Sequence, residues 1–229
     1  MKSIKNYNAF AGQNKERLAA LSDGIFSIAM TLLVLELRVP DEAVKEATLH
    51  PGSQFLWMGD MLTAEGLFWT KVMSQLAPSL EVYLTSFLTL GIFWVAQQTQ
   101  LNDFKRSDRN MAWIHLAFLL MVSLIPFSTG VLTDFITLRS ALFIYWLNLF
   151  LLGASLFASL SYAEKAKLMR EDMTAERFSG QKQRLILYQG LYLFAFLLCF
   201  INTYVSITLL VLVQLNSALA PRFLGLNRL

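Results

Sequence analysis

Two neighbouring residues stand where they should be costly. Ser22 and Asp23 lie inside an apolar run, Leu18 to Leu37, with Arg17 at its edge. A carboxylate in hydrocarbon is expensive unless it is paired. Such groups mark ion pathways, proton relays or locks between helices. With about 100° of rotation per residue, Leu21, Gly24, Ile28, Thr31 and Leu35 fall on one stripe, advancing by 3, 4, 3 and 4 residues. Asp23 lies about 140° round from that stripe and Ser22 about 120° the other way, so both are expected to face helices of the same subunit. Small residues crowd the same run (Ala19, Ala20, Gly24, Ser27, Ala29), which lets backbones approach closely. Two readings of the spacing stay open. The stripe is a seam made to meet copies of itself, or it is an ordinary packing face with Asp23 a satisfied buried carboxylate.

The elements that must hold these residues are membrane helices. Residues of the set AVILMFWYC make up 55% of the 229-residue chain and charged residues 15%, against roughly 25% charged in a soluble domain. That balance excludes a disordered chain, a nucleic-acid binder and a secreted disulfide scaffold. A helix needs about 20 apolar residues to cross a bilayer. Six runs qualify: 18–37, 80–98, 111–132, 141–162, 185–201 and 204–220. The sequence thus predicts one all-α integral membrane domain over 1–229. Asn202 and Thr203 are expected to form a tight hairpin between the last two spans, and 39–79 an outer loop with an interfacial helix carrying Trp57 and Trp69. Of the 19 Lys and Arg, 15 fall on one side of this topology, which places both termini in the cytoplasm by the positive-inside rule. No cleavable signal peptide is expected. The charged stretch Glu164 to Arg184 is expected to extend the fourth and fifth helices into water.

The remaining polar and special residues read as structural. Cys199 is a single thiol in an apolar run, without a CxxC partner. His115 is expected to be a hydrogen-bonded packing residue, and Asn148 and Gln214 to bond between helices. His50 in the outer loop has no metal-ligand spacing around it. Pro126 is expected to kink the third span, with Ser123 and Ser128 satisfying freed backbone groups. Trp113, Tyr145, Trp146, Tyr162 and Tyr188 read as interfacial belts. HExxH, G-x-S-x-G, P-loop and GxGxxG motifs are absent, so neither enzyme chemistry nor a bound cofactor is expected.

The run Arg17-x-x-x-Leu21-Ser22-Asp23 resembles the R-x-x-x-F-S-D motif opening the first helix of the transmembrane protein 175 family of potassium channels. The following Gly24 to Leu37, Phe93-Trp94 and Leu124 to Thr129 are similar to prokaryotic members, as is the six-span layout. The resemblance implies a homotetramer in the cell membrane, with four copies of the first helix lining a pore for potassium and other monovalent cations. It implies an apolar constriction at Ile28, Leu32 and Leu35, a polar layer for ion preference at Thr31, and a structural lock at Arg17, Ser22 and Asp23. The angular reading agrees, since Ile28, Thr31, Leu32 and Leu35 share one face. No TVGYG-like loop exists to build a carbonyl filter.

Two departures from the family pattern matter. Leu21 stands where the family usually has Phe. Gln97 and Gln98 stand where relatives often carry His, and glutamine can replace a neutral imidazole in hydrogen bonding but cannot titrate. Both are candidate polar partners for the first helix. Two other functional classes remain open: a proton- or cation-coupled secondary transporter using Asp23, and a non-conducting membrane scaffold.

Overall fold

The computed structural model of the chain describes residues 14–37 and 58–218, and for 58–75 the backbone alone. Helix α1 spans Lys15–Leu32 and runs on into a 3-10 turn, Leu33–Glu36. The Asn14 side-chain oxygen caps it, accepting from the backbone N–H groups of Glu16 (2.9 Å) and Arg17 (3.1 Å). Leu18, Ser22, Phe26 and Ala29 are its buried face, followed by Leu33. That face is the opposite one to the stripe through Ile28.

Helix α2, Met58–Asp103, is 46 residues long. This corrects the expected outer loop 39–79. From Met58 onward that segment is helix, continuous with the second span, while 39–57 and Trp57 lie outside the described residues. Pro78 sits inside the helix. Membrane helices tolerate proline because neighbouring groups and local adjustments satisfy the freed carbonyl. The part apolar enough to cross a bilayer begins at Leu76, close to the expected boundary.

The third span is two helices, α3 (Arg109–Ser123) and α4 (Ile125–Asp134), broken at Leu124. Pro126 occupies the first turn of α4, where its missing N–H costs nothing. Around the break, Ser123 Oγ donates to the Leu120 carbonyl (2.8 Å) and Ser128 Oγ to that of Ile125 (3.0 Å). Helix α5, Arg139–Lys165, packs against α3, α4 and α6. Helix α6 (Ala175–Leu197) starts ten residues before its apolar run, then closes through a 3-10 turn at Leu198–Phe200. Asn202 leads into α7, Thr203–Ala218, its Oδ1 accepting from the Tyr204 N–H at 2.8 Å. Among the described residues, five segments are long and apolar enough to cross a membrane, and α7 is a shorter sixth apolar helix of 16 residues. The chain is a multi-pass membrane protein.

Glycine serves close approach at two places. The Glu36 carboxylate rests on Gly130 of α4, and the Gln189 amide rests on Gly153 of α5; a Cβ at either position would overlap its neighbour.

Interhelical hydrogen bonds tie the apolar core. Thr129 Oγ1 donates to Ser86 Oγ (2.7 Å), Ser86 Oγ to Tyr145 OH (3.3 Å), and Gln214 Nε2 to Thr89 Oγ1 (2.6 Å), joining α2, α4, α5 and α7. Asn148 Nδ2 reaches Ser128 Oγ at 3.2 Å, so Asn148 and Gln214 act as expected. Tyr145 is fully buried in this network rather than in an interfacial belt.

The charged end of the bundle is clamped as well. Asp103, 5% exposed, receives Arg177 at 2.8 Å and the Gln181 amide at 2.6 Å. Lys15 Nζ at the start of α1 donates to the Phe104 carbonyl (2.9 Å). Lys105 pairs with Glu171 at 2.8 Å and holds that carboxyl below the usual carboxylate range.

Candidate functional site

Helix α1 shows its two faces plainly. Ile28 is 61% exposed and Leu35 69%, and Leu21, Thr31 and Leu32 are exposed beside them. The predicted stripe therefore finds no partner among the described residues. A row of exposed leucine and isoleucine on a helix that is otherwise well packed marks a surface for lipid or for further copies of the chain.

The opposite side is pinned to α2 and α3. Ser22 Oγ donates to the Leu18 carbonyl (2.9 Å) and accepts from Gln97 Nε2 (2.9 Å). The same Gln97 nitrogen lies 3.3 Å from His115 Nδ1, and His115 Nε2 lies 3.2 Å from Ser159 Oγ. Ser159 Oγ in turn donates to Met111 Sδ at 3.4 Å. One set of roles accounts for each of these contacts: the two amide hydrogens of Gln97 go to Ser22 and His115, and the second imidazole nitrogen carries its proton toward Ser159. All of Ser22, Gln97, His115 and Ser159 are buried, and the row crosses from α1 through α2 and α3 to α5. Gln97 Oε1 has no hydrogen-bond partner among the described residues.

Asp23 makes the second attachment. Its Oδ1 accepts from Trp94 Nε1 and from Gln98 Nε2, each at 2.8 Å. Trp94, Gln97 and Gln98 are spaced so that one face of α2 presents all three donors to α1. Asp23 and Trp94 stay exposed and Gln98 is half-buried, unlike the buried Ser22 row. The sequence marked Gln97 and Gln98 as candidate partners, and both meet the predicted pair. It did not mark Trp94 as a donor, although the three-residue offset to Gln97 carried that signal. It named His115 as a packing residue without identifying its two partners, which come from α2 and α5 and leave no trace in linear spacing.

Thr31 uses its proton locally. Its hydroxyl donates to the carbonyls of Ile28 (2.8 Å) and Ser27 (3.1 Å), and Ser27 Oγ donates likewise to that of Asp23 (2.7 Å). With the hydrogens turned back into the helix, the hydroxyl lone pairs are left outward. Arg17 is exposed and makes no ion pair among the described residues. Among the described residues, no group of three or more His, Cys, Asp or Glu side chains could hold a metal ion.

The chain is thus a multi-pass helical bundle whose first helix carries a hydrogen-bonded carboxylate on one side and, on the other, an apolar stripe with no partner among the described residues. Residues 17–126 match the family model described as endosomal/lysosomal potassium channel TMEM175. The chain is 28% identical to a potassium channel of Chamaesiphon minutus, over 83% of this chain and 87% of that one. It is 24% identical to the endosomal/lysosomal proton channel TMEM175 of Gallus gallus, over 58% of this chain but only 24% of that protein. In fold it is similar to the crystal structure of a lysosomal potassium-selective channel TMEM175 homologue from Chamaesiphon minutus, with a TM-score of 0.72 at 24% identity, covering 90% of this chain and 96% of that one. Residues 17–126 are thus similar to the TMEM175 family, and the relatives named here are potassium and proton channels.

Proposed function

We propose that the chain is a potassium-permeable cation channel of the cell membrane, with both termini cytoplasmic. Four copies surround an axis, and α1 of each lines the passage. Ile28, Leu32 and Leu35 form an apolar constriction that gates by narrowing and dewetting. Thr31 supplies a layer of hydroxyl oxygens, and no carbonyl filter is involved. Arg17, Ser22 and Asp23 hold α1 in register, the last two through Gln97, Gln98 and Trp94 of α2.

One observation carries this reading: the stripe from Leu21 to Leu35 stays exposed on a helix whose other face is fully engaged. Outward lone pairs on Thr31 suit a cation that has shed part of its water. The relative of Chamaesiphon minutus that spans most of the chain is named a potassium channel, which agrees. Reconstitution in planar bilayers under asymmetric potassium and sodium tests it. Single-channel currents reversing toward the potassium potential are expected, and absence of current contradicts the proposal.

A second reading, coupled transport through Asp23, draws on that carboxylate being exposed within a span. It predicts saturable flux that follows the pH gradient, whereas a channel gives currents that do not saturate in this way.

A further inference from the structure

A groove of about 470 Å³ opens between α2, α6 and the end of α7, away from the stripe on α1. It runs along α2 from Phe87 to Gln100, thirteen residues or about 20 Å, which is comparable to one leaflet's share of a roughly 30 Å hydrocarbon core. Its walls are apolar over most of that length. Gly91 lies in the wall, and a Cβ there would meet nothing within 4 Å, so the groove is unfilled at this point.

The chemistry changes at the charged end. Gln100, 3% exposed, and Gln181 line the groove there, and the side-chain oxygen of each is buried without a hydrogen-bond partner among the described residues. Arg184 stands beside them, its guanidinium 5.7 Å from the Tyr188 ring centre and in no ion pair among the described residues. Three residues along each helix, the Gln181 amide is already committed to Asp103, which fixes the level of Gln100 and Arg184. Orphaned buried acceptors are costly, and they call for a ligand that brings hydrogen-bond donors. An unpaired guanidinium calls for an anion that accepts in a fork, as phosphate does. An apolar helix from another copy would bury all three groups without compensation.

We propose that this groove binds one phospholipid per protomer with an anionic, hydroxyl-bearing headgroup of the phosphatidylglycerol type. An acyl chain lies past Gly91, the phosphate meets Arg184, and headgroup hydroxyls donate to the oxygens of Gln100 and Gln181. The assignment rests on the groove and its membrane setting, and does not depend on ion conduction.

Native mass spectrometry of the purified full chain, equilibrated with phosphatidylglycerol, phosphatidylethanolamine or phosphatidylcholine, tests it. Wild type retains phosphatidylglycerol in preference to both others. Arg184→Gln, an exposed rim substitution, lowers that retention about tenfold, the loss expected for one charge-assisted contact. Gly91→Phe fills the groove and abolishes retention of every lipid, with elution as wild type. If Gly91→Phe aggregates, Gly91→Leu and Arg184→Gln decide. Equal retention of the three lipids by wild type, a preference for phosphatidylethanolamine, or unchanged retention in Arg184→Gln overturns the proposal. A second copy covering the groove in the assembled particle overturns it too. None of these readouts uses ion flux, so failure here leaves the channel reading untouched.

Discussion

Asp23→Ala removes the shared acceptor of two interhelical hydrogen bonds, those from Trp94 Nε1 and Gln98 Nε2, both at 2.8 Å. Measured side-chain hydrogen bonds between membrane helices average about 0.6 kcal/mol and reach about 1.7, so the pair is worth roughly 1–3 kcal/mol within one protomer. The stranded donors add little if they face water, because both lie at the surface of the protomer. They add about 1–3 kcal/mol each if a neighbouring copy seals them from solvent. The cost of Asp23→Ala in a single protomer and in the assembly should therefore differ, and that difference reports burial at the subunit boundary. Reversible unfolding in mixed detergent, with subunit assembly followed separately, measures the two costs. Asp23→Asn keeps one acceptor oxygen and should recover about half of the loss, since charge-assisted bonds are roughly twice as strong as neutral ones. Trp94→Phe and Gln98→Met should each show a coupling with Asp23→Ala of about 0.6–1.7 kcal/mol in double-mutant cycles. Couplings near zero for both pairs, or Asp23→Asn as damaging as Asp23→Ala, would refute the lock.

Thr31→Val deletes the outward hydroxyl oxygen while conserving shape, and is expected to lower the potassium-to-sodium permeability ratio read from reversal potentials; an unchanged ratio removes Thr31 from ion preference. Ile28→Ala or Leu35→Ala widens the proposed constriction, so resting leak in bilayers should rise, and wild-type currents would count against the stripe as the narrow point. Gly153→Ala pushes the Gln189 amide off its 3.3 Å bond to the Leu149 carbonyl. It should destabilise the bundle by about 1 kcal/mol, and adding Gln189→Ala should restore most of that loss by emptying the space.

The membrane helices were legible because bilayer crossing imposes a length, and the apolar runs obey it. The break at Leu124–Pro126 and the hairpin at Asn202 followed from residues with strong local preferences. The expected loop 39–79 gave no sign that α2 begins at Met58, because a helix near a bilayer can run through Pro78 where neighbours satisfy the freed carbonyl. At the site, angular bookkeeping on α1 placed Ser22 and Asp23 on sides separate from the stripe, and exposure follows the same division for Ile28, Thr31, Leu32 and Leu35. The partners were harder to read. Gln97 and Gln98 drew notice only as departures from a familial histidine. The row from Ser22 to His115 and Ser159 joins four helices that meet only once the bundle has folded. The charged clamp around Asp103 is equally non-local, linking α2 to α6 across 78 residues of sequence.

The central claim is that the exposed stripe of α1 faces an ion pathway, and cysteine accessibility during conduction tests it most directly. Cys199 is the single native cysteine, so a Cys199→Ala background leaves each introduced thiol alone. Thr31→Cys and Leu35→Cys channels in bilayers should lose current when a cationic thiol reagent is applied, whereas Ala29→Cys on the buried face should not. Steady current through modified Thr31→Cys and Leu35→Cys channels, or block confined to Ala29→Cys, would contradict the account.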